Sequence, residues 1–412
     1  MNFKKINHII HLWLGLSSGL IVTIISITGC IYVFEDELKS FFFKDKIYVD
    51  VPFGGHKKPI SELYKIAQAT VGKEHPIQNI EIPIEANRSV TFRPTIKRNS
   101  KAYTYFGELE YFKMVYMNPY TGKVIANEDV RFEFFRIVLA LYRNLLLRKE
   151  IGSLITGIAV LIFVIILISG IVLWLPQNVA ALKRRLSFQW KYTTKWKRKN
   201  YDLHNILGFY SSFFLLVIAL TGLTWSFDWV ENSVAWVTNA GAKTKKLKPV
   251  LSDTLQLTRK VLPLDRMYSQ VVKQNQNAEM FSINIPKEKK GVVNFWVYEN
   301  EQLNYNRTQY QFDQYSAKLL MTNTFGDKNN GDKLKAMNYD IHTGRILSLS
   351  GKIIAFLASL ISATLPITGF LIWLGKRNKS KKIIKIQSMQ SSQMNYLNSS
   401  DKYKIIVENN HD

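Results

Sequence analysis

Four long apolar stretches, at about 9–34, 151–175, 203–227 and 352–374, interrupt an otherwise polar chain. Each holds the ~20 largely uncharged residues that a helix needs to cross ~30 Å of hydrocarbon. Backbone groups in lipid must satisfy one another within the segment, so runs of this kind can only be helices. The expected fold class is therefore a membrane protein, mainly α, with a four-helix transmembrane bundle.

Charge placement orients the bundle. The net charge of +24 would raise the question of nucleic acid in a soluble protein, but the basic residues fall in three clusters. Lys4 and Lys5 precede the first span. Lys183, Arg184, Arg185, Lys191, Lys195, Lys197, Arg198 and Lys199 lie between the second and third, and Lys376, Arg377, Lys379, Lys381, Lys382 and Lys385 follow the fourth. All three lie on one side of a four-span topology. The positive-inside rule then places both termini in the cytoplasm and the two long connections outside, and argues against a nucleic-acid partner. Trp174, Trp225, Trp229 and Trp373 near span ends fit an interfacial belt.

An N-terminal signal sequence is the competing reading of the first run, and Ile27-Thr28-Gly29-Cys30 resembles a lipoprotein cleavage box. The run is too long for that, and its pattern recurs in the third span. Cys30 is the only cysteine, so there is no intramolecular disulfide and no Cys-x-x-Cys-His haem attachment.

The recurrence is an internal repeat. Aligning His11 with His204 also aligns Gly15 with Gly208, Thr28-Gly29 with Thr221-Gly222, Phe34 with Phe227 and Glu35 with Asp228, without a gap. The second and fourth spans match at Ser169-Gly170 against Thr368-Gly369 and Trp174 against Trp373; one residue of slippage then sets Tyr142 opposite His342. Each half reads span, outer unit, span, a parallel tandem repeat. The expected segments are 1–34 (first span), 35–133 (outer unit), 134–176 (interfacial segment and second span), 177–202 (basic loop), 203–228 (third span), 229–340 (outer unit), 341–375 (fourth span with outer extension) and 376–412 (a disordered tail). Both outer units read as small α+β domains. Helices are expected at 60–70 and 251–262; strands at 77–82, 89–93, 111–117 and 123–125, and at 281–285, 292–298, 310–313 and 318–321. Neither unit carries a phosphate loop, a His-Glu-x-x-His helix or a nucleophile elbow.

Of seven histidines, His56, His75 and His411 sit among polar residues and read as solvated. His8, His11, His204 and His342 lie at or near the spans, where ionisable groups are costly and mark functional sites. His11 and His204 occupy repeat-equivalent positions, so they can face each other across the bundle. Two facing imidazoles suit the axial positions of six-coordinate haem; the alternative is a pair of interfacial histidines bonded to carbonyls. Gly15, Ser18, Gly19, Gly208, Ser211 and Ser212 would admit a flat porphyrin or close helix packing. His342 precedes Trp373 by roughly thirty residues, which in one straight helix spans ~45 Å and puts it at or above the outer interface.

The run from His11 through Gly19 with Thr28-Gly29 is one of several segments that together resemble the PepSY-associated transmembrane helix family. The others are Ser169-Gly170 with Leu173-Trp174-Leu175-Pro176, Asp202-Leu203-His204-Asn205 with Thr221-Gly222, and Tyr339-Asp340-Ile341-His342 with Pro366-Ile367-Thr368-Gly369. The likeness extends to about Lys376. It implies PepSY-like outer domains, an inner-membrane location, b-type haem and reduction of ferric siderophores or other ferric chelates for iron uptake. Haem ligands would be His11 and His204 on the inner side and His342 on the outer, with Arg143, Arg148 and Arg345 pairing with propionates of an outer haem. Where the family reads Leu-His-Arg, this chain reads Leu141-Tyr142-Arg143, so the partner of His342 is a tyrosine. The electron donor would be a quinol, a flavoprotein or a thiol. The alternative function is a membrane-anchored binding or regulatory module without redox chemistry. A transporter is disfavoured because the spans lack paired carboxylates and broken helices.

Overall fold

The computed structural model describes residues 3–176, 178, 182, 185–242, 249–254 and 262–377. Among them, four helices are long and apolar enough to cross a membrane: Phe3–Val33, Lys149–Trp174, Trp196–Ser226 and Arg345–Arg377. They match the four expected runs and extend each by a few polar residues. The expected helix at 251–262 and the tail after Arg377 fall largely outside the described residues. A helix at Leu264–Gln274 occupies the place of the former in the sheet packing.

The chain leaves the first span and re-enters at the second through β1 (Ile77–Pro83), β2 (Val90–Pro94), β3 (Lys113–Met117) and β4 (Val124–Asp129). Between the third and fourth it forms β5 (Met280–Asn284), β6 (Val292–Tyr298), β7 (Arg307–Asp313) and β8 (Leu319–Asn323). Their alternation of buried and half-buried residues is the period-two signature of a sheet with one covered face. The two sets do not stand apart. All eight strands form one sheet in the order β8-β7-β6-β5-β1-β2-β3-β4, joined where Ile80 pairs with Ile283 and Ile82 with Phe281 across antiparallel β1 and β5. Asn79 Nδ2 bridges that seam to Ser282 Oγ and Asn284 Oδ1, each at 3.0 Å.

Two helices cover one face of this sheet. Ile60, Leu63 and Ala67 of the helix Ile60–Val71 and Leu264, Met267 and Val271 of the helix Leu264–Gln274 share one core with Phe92, Val115, Phe281, Phe295 and Phe312. Asp265 ties the helices together by accepting from the Ser61 amide at 3.0 Å and from its hydroxyl.

The approach to the second and fourth spans is bent. The helix Phe134–Asn144 ends at Leu145 and Leu146, both at positive φ (53° and 58°), before the second span starts. The helix Asn330–His342 likewise ends before Gly344 (φ 78°). A side chain at Gly344 or at Gly351 would overlap the backbone of the other, so the chain can fold back tightly only with glycine at both. His342 is thus not on a straight extension of the fourth span. The ~45 Å estimate, which assumes one continuous helix, does not apply, and His342 lies against Gly222 of the third span. The one-residue slip between the second and fourth spans falls within these two bends.

Candidate cofactor site

His11 and His204 line one cavity of about 320 Å³ between the four spans, with ring centres 6.4 Å apart and planes at 87°. Each ring is held the same way. Asn7, one turn before His11, donates from Nδ2 to the Ser169 carbonyl at 3.0 Å, and His11 Nδ1 meets the Ser169 hydroxyl at 2.8 Å. Asn200, one turn before His204, donates to the Thr368 carbonyl at 3.0 Å, and His204 Nδ1 meets the Thr368 hydroxyl at 2.9 Å. Residues four apart share a helix face, so each Asn-x-x-x-His grips one residue of the opposing span at two points. The glycine that follows gives the ring its seat: a Cβ on Gly170 or Gly369 would lie 3.2 Å from Cε1 of His11 or His204.

The hydroxyls also fix the tautomer. Ser169 Oγ donates to Ile166 O at 2.9 Å and Thr368 Oγ1 to Thr364 O at 2.9 Å. With its one proton committed, each hydroxyl can only accept from the imidazole, so Nδ1 carries the proton and Nε2 keeps its lone pair for a ligand. Two metal–nitrogen bonds of about 2 Å, plus about 1.1 Å from each nitrogen to its ring centre, call for a separation of about 6.2 Å. The observed separation of the ring centres, 6.4 Å, is close to that value. Among the described residues no group of three or more His, Cys, Asp or Glu could hold a bare metal ion. The third span makes a π-helical turn at Leu203–Leu207, a local widening often found at functional sites.

The small residues divide between the two roles expected of them. A Cβ on Gly15 would meet nothing within 4 Å, so this position opens into the cavity; a Cβ on Gly19 would lie 3.1 Å from Pro366 and one on Gly208 3.4 Å from Leu365, so these two allow close helix packing. His8 and Lys376 also line the cavity, with His8 Nε2 3.5 Å from Lys376 Nζ.

A second cavity, of about 380 Å³, lies toward the sheet and is lined by Tyr142, Arg143, Trp225, Tyr339 and His342. His342 is clamped like the other two: Asn338 Nδ2 donates to the Thr221 carbonyl at 3.1 Å, His342 Nδ1 meets the Thr221 hydroxyl at 2.9 Å, and Cε1 lies over Gly222. Its Nε2 accepts directly from the Tyr142 hydroxyl at 2.5 Å. Burial lowers the His342 imidazole to about 4 and raises the Tyr142 phenol, so both are neutral at pH 7. Arg143 faces this cavity, whereas Arg345 is buried and pairs with Asp36 at 2.6 Å. Arg148 pairs with Glu150 at 3.1 Å and donates to Ser100 O. Of the sequence-expected residues, then, His11 and His204 come together in one cavity, and His342, Tyr142 and Arg143 in the other. Arg345 stands behind the Tyr339 ring, outside the lining, with Asp36 as its partner.

The family model for the PepSY-associated TM region matches residues 9–376. The chain belongs to that family. No curated protein matches it. The three asparagines of this PepSY-associated chain do carry a sequence signal: Asn200-Tyr201-Asp202-Leu203-His204 and Asn338-Tyr339-Asp340-Ile341-His342 are nearly the same pentapeptide. Asn7 and Asn200 also align in the repeat, four residues before aligned histidines.

Proposed function

We propose that this PepSY-associated protein is a membrane electron-transfer protein that holds b-type haem between His11 and His204, takes electrons from a quinol, flavoprotein or thiol donor, and carries them for the reduction of a ferric complex such as a ferric siderophore. The observation that carries the reading is the pair of imidazoles with ring centres 6.4 Å apart in one cavity, each held at Nδ1 by a hydroxyl of an opposing span. Bound there, haem supplies reversible one-electron chemistry.

The protein's own residues do the rest. Asn7 and Asn200 set the rotation of each helix against its partner, and Ser169 and Thr368 hold the ligating tautomer. Val22, Phe163 and Leu167 form an apolar wall that limits water around the site. Lys376, with His8 beside it, offers a cation for a carboxylate at the basic end of the bundle. Reduction of Fe(III) to Fe(II) weakens its hold by hard oxygen ligands, which would release the metal from its chelate. The charge asymmetry supports an inner-membrane location with both termini cytoplasmic, a tandem-repeat origin accords with the gapless alignment, and the halves of the sheet would be the PepSY units.

The test is an absorption spectrum of the protein purified from haem-replete cells. A Soret band and dithionite-dependent α-bands are expected, and His11→Ala or His204→Ala should each remove the same low-spin species. A colourless wild type, or variants with unchanged spectra, would refute the proposal.

A further inference from the structure

Four Ser/Thr-Gly pairs, one on each span, back a ring from another helix, and three of the four, Ser169-Gly170, Thr221-Gly222 and Thr368-Gly369, seat a clamped imidazole. The fourth, Thr28-Gly29, seats Tyr142, whose Cε2 would lie 3.4 Å from a Cβ on Gly29. Four residues before Tyr142, where the other clamps have asparagine, the chain has Val138. Thr28 Oγ1 donates to Ile24 O at 2.8 Å. The seat is intact, but both side chains that would clamp an imidazole onto it are replaced.

The replacement changes what fits between the facing rings. Thr221 Oγ1 donates to Val217 O at 2.7 Å, so His342 Nδ1 is protonated, Nε2 is the acceptor, and the Tyr142 hydroxyl donates to it. An iron bonded to both atoms needs them about 4 Å apart, at about 2 Å per bond. They are 2.5 Å apart. Neither ring lies free in its cavity: His342 is fixed by Thr221 and backed by Gly222, and Tyr142 is backed by Gly29.

We propose that Tyr142, together with Val138, is the specificity-determining feature of the outer cavity. It converts a seat for a second axial imidazole into a hydrogen-bonded plug on His342 Nε2, so that the chain carries one haem, at His11 and His204, and none at His342. The inference rests on the proposed reading of the inner cavity, and it predicts that the outer haem can be regained by rebuilding the fourth clamp.

The experiment measures haem per chain by pyridine haemochromogen and spin state by electron paramagnetic resonance, on full-length protein. Wild type and His342→Ala should each hold one haem. Val138→Asn/Tyr142→His should hold two, both low-spin, and adding His342→Ala should return it to one. Adding His11→Ala instead should leave one haem, now at the outer site. Tyr142→Phe, a milder change that removes only the donor, should unplug Nε2 and admit a high-spin second haem. Two haems in wild type with one lost in His342→Ala would overturn the inference, as would no gain in both Val138→Asn/Tyr142→His and Tyr142→Phe. A wild type without haem would refute the proposed function instead, and the rebuilt outer clamp on the His11→Ala background still decides whether Tyr142 is the plug.

Discussion

Thr368→Val isolates what the hydroxyl seats contribute. Valine keeps the shape of threonine and removes one oxygen, the atom that accepts from His204 Nδ1 at 2.9 Å. The His204 N–H then loses its hydroxyl acceptor and keeps only the nearby Leu365 carbonyl, at a cost of up to about 1–3 kcal/mol. The empty protein can relieve that cost by turning the ring or moving its proton to Nε2, but a ring whose Nε2 ligates iron cannot. Most of the cost therefore appears in haem affinity. At 1.4 kcal/mol per factor of ten, the expected loss is about 10–100-fold, the range typical when a hydrogen-bond partner of a ligating histidine is removed. The assay is haem transfer to an excess of a scavenging apoprotein, giving the dissociation rate, with Thr368→Ser as the variant that keeps the oxygen. A Thr368→Val protein that releases haem at the wild-type rate, while His204→Ala abolishes binding, would refute the tautomer argument.

Two further outcomes are expected. Reporter fusions after Lys195 and Lys382 should be active only for a cytoplasmic reporter and those near Lys101 and Lys289 only for an extracytoplasmic one; an extracytoplasmic signal after Lys195 would overturn the orientation. His342 has a folded-state pKa of about 4 against about 6.5 unfolded, so the unfolded chain binds the extra proton between those values. Its contribution is fully present above about pH 6.5 and is lost as pH falls toward 4, by about 3 kcal/mol at most. Thermal unfolding in detergent should show this acid sensitivity in wild type and a flatter profile in His342→Gln; parallel profiles would refute it.

The two halves of the candidate site differed in how openly the sequence displayed them. His11 and His204 stood out because a titratable side chain in an apolar run is costly wherever it occurs, and because their neighbours align. Asn7, Asn200 and Asn338 did not, since an asparagine near a span end is unremarkable until its amide is seen on a carbonyl of another helix. Arg345 looked like a propionate partner by position; Asp36, which occupies it, comes from the other end of the chain.

What the sequence alone determined follows from local physics. Whether a segment crosses lipid depends on its own composition over about 20 residues, so all four spans were legible. Strands such as Val292–Tyr298 were legible from a short run of β-branched and aromatic residues. What tertiary structure decided depends on partners far away in the chain. The pairing of β1 with β5 merges two expected units into one sheet through residues some 200 apart, and no local pattern encodes it. The bend at Gly344 draws His342 back against Gly222, where a straight helix would have carried it away. Above all, Tyr142 read as an open question in the sequence, because a phenol can ligate iron or hydrogen-bond an imidazole. Only the placement of its ring over Gly29, with its hydroxyl on His342 Nε2, favours the hydrogen bond, because the choice turns on a separation of about 1.5 Å that depends on how four helices pack.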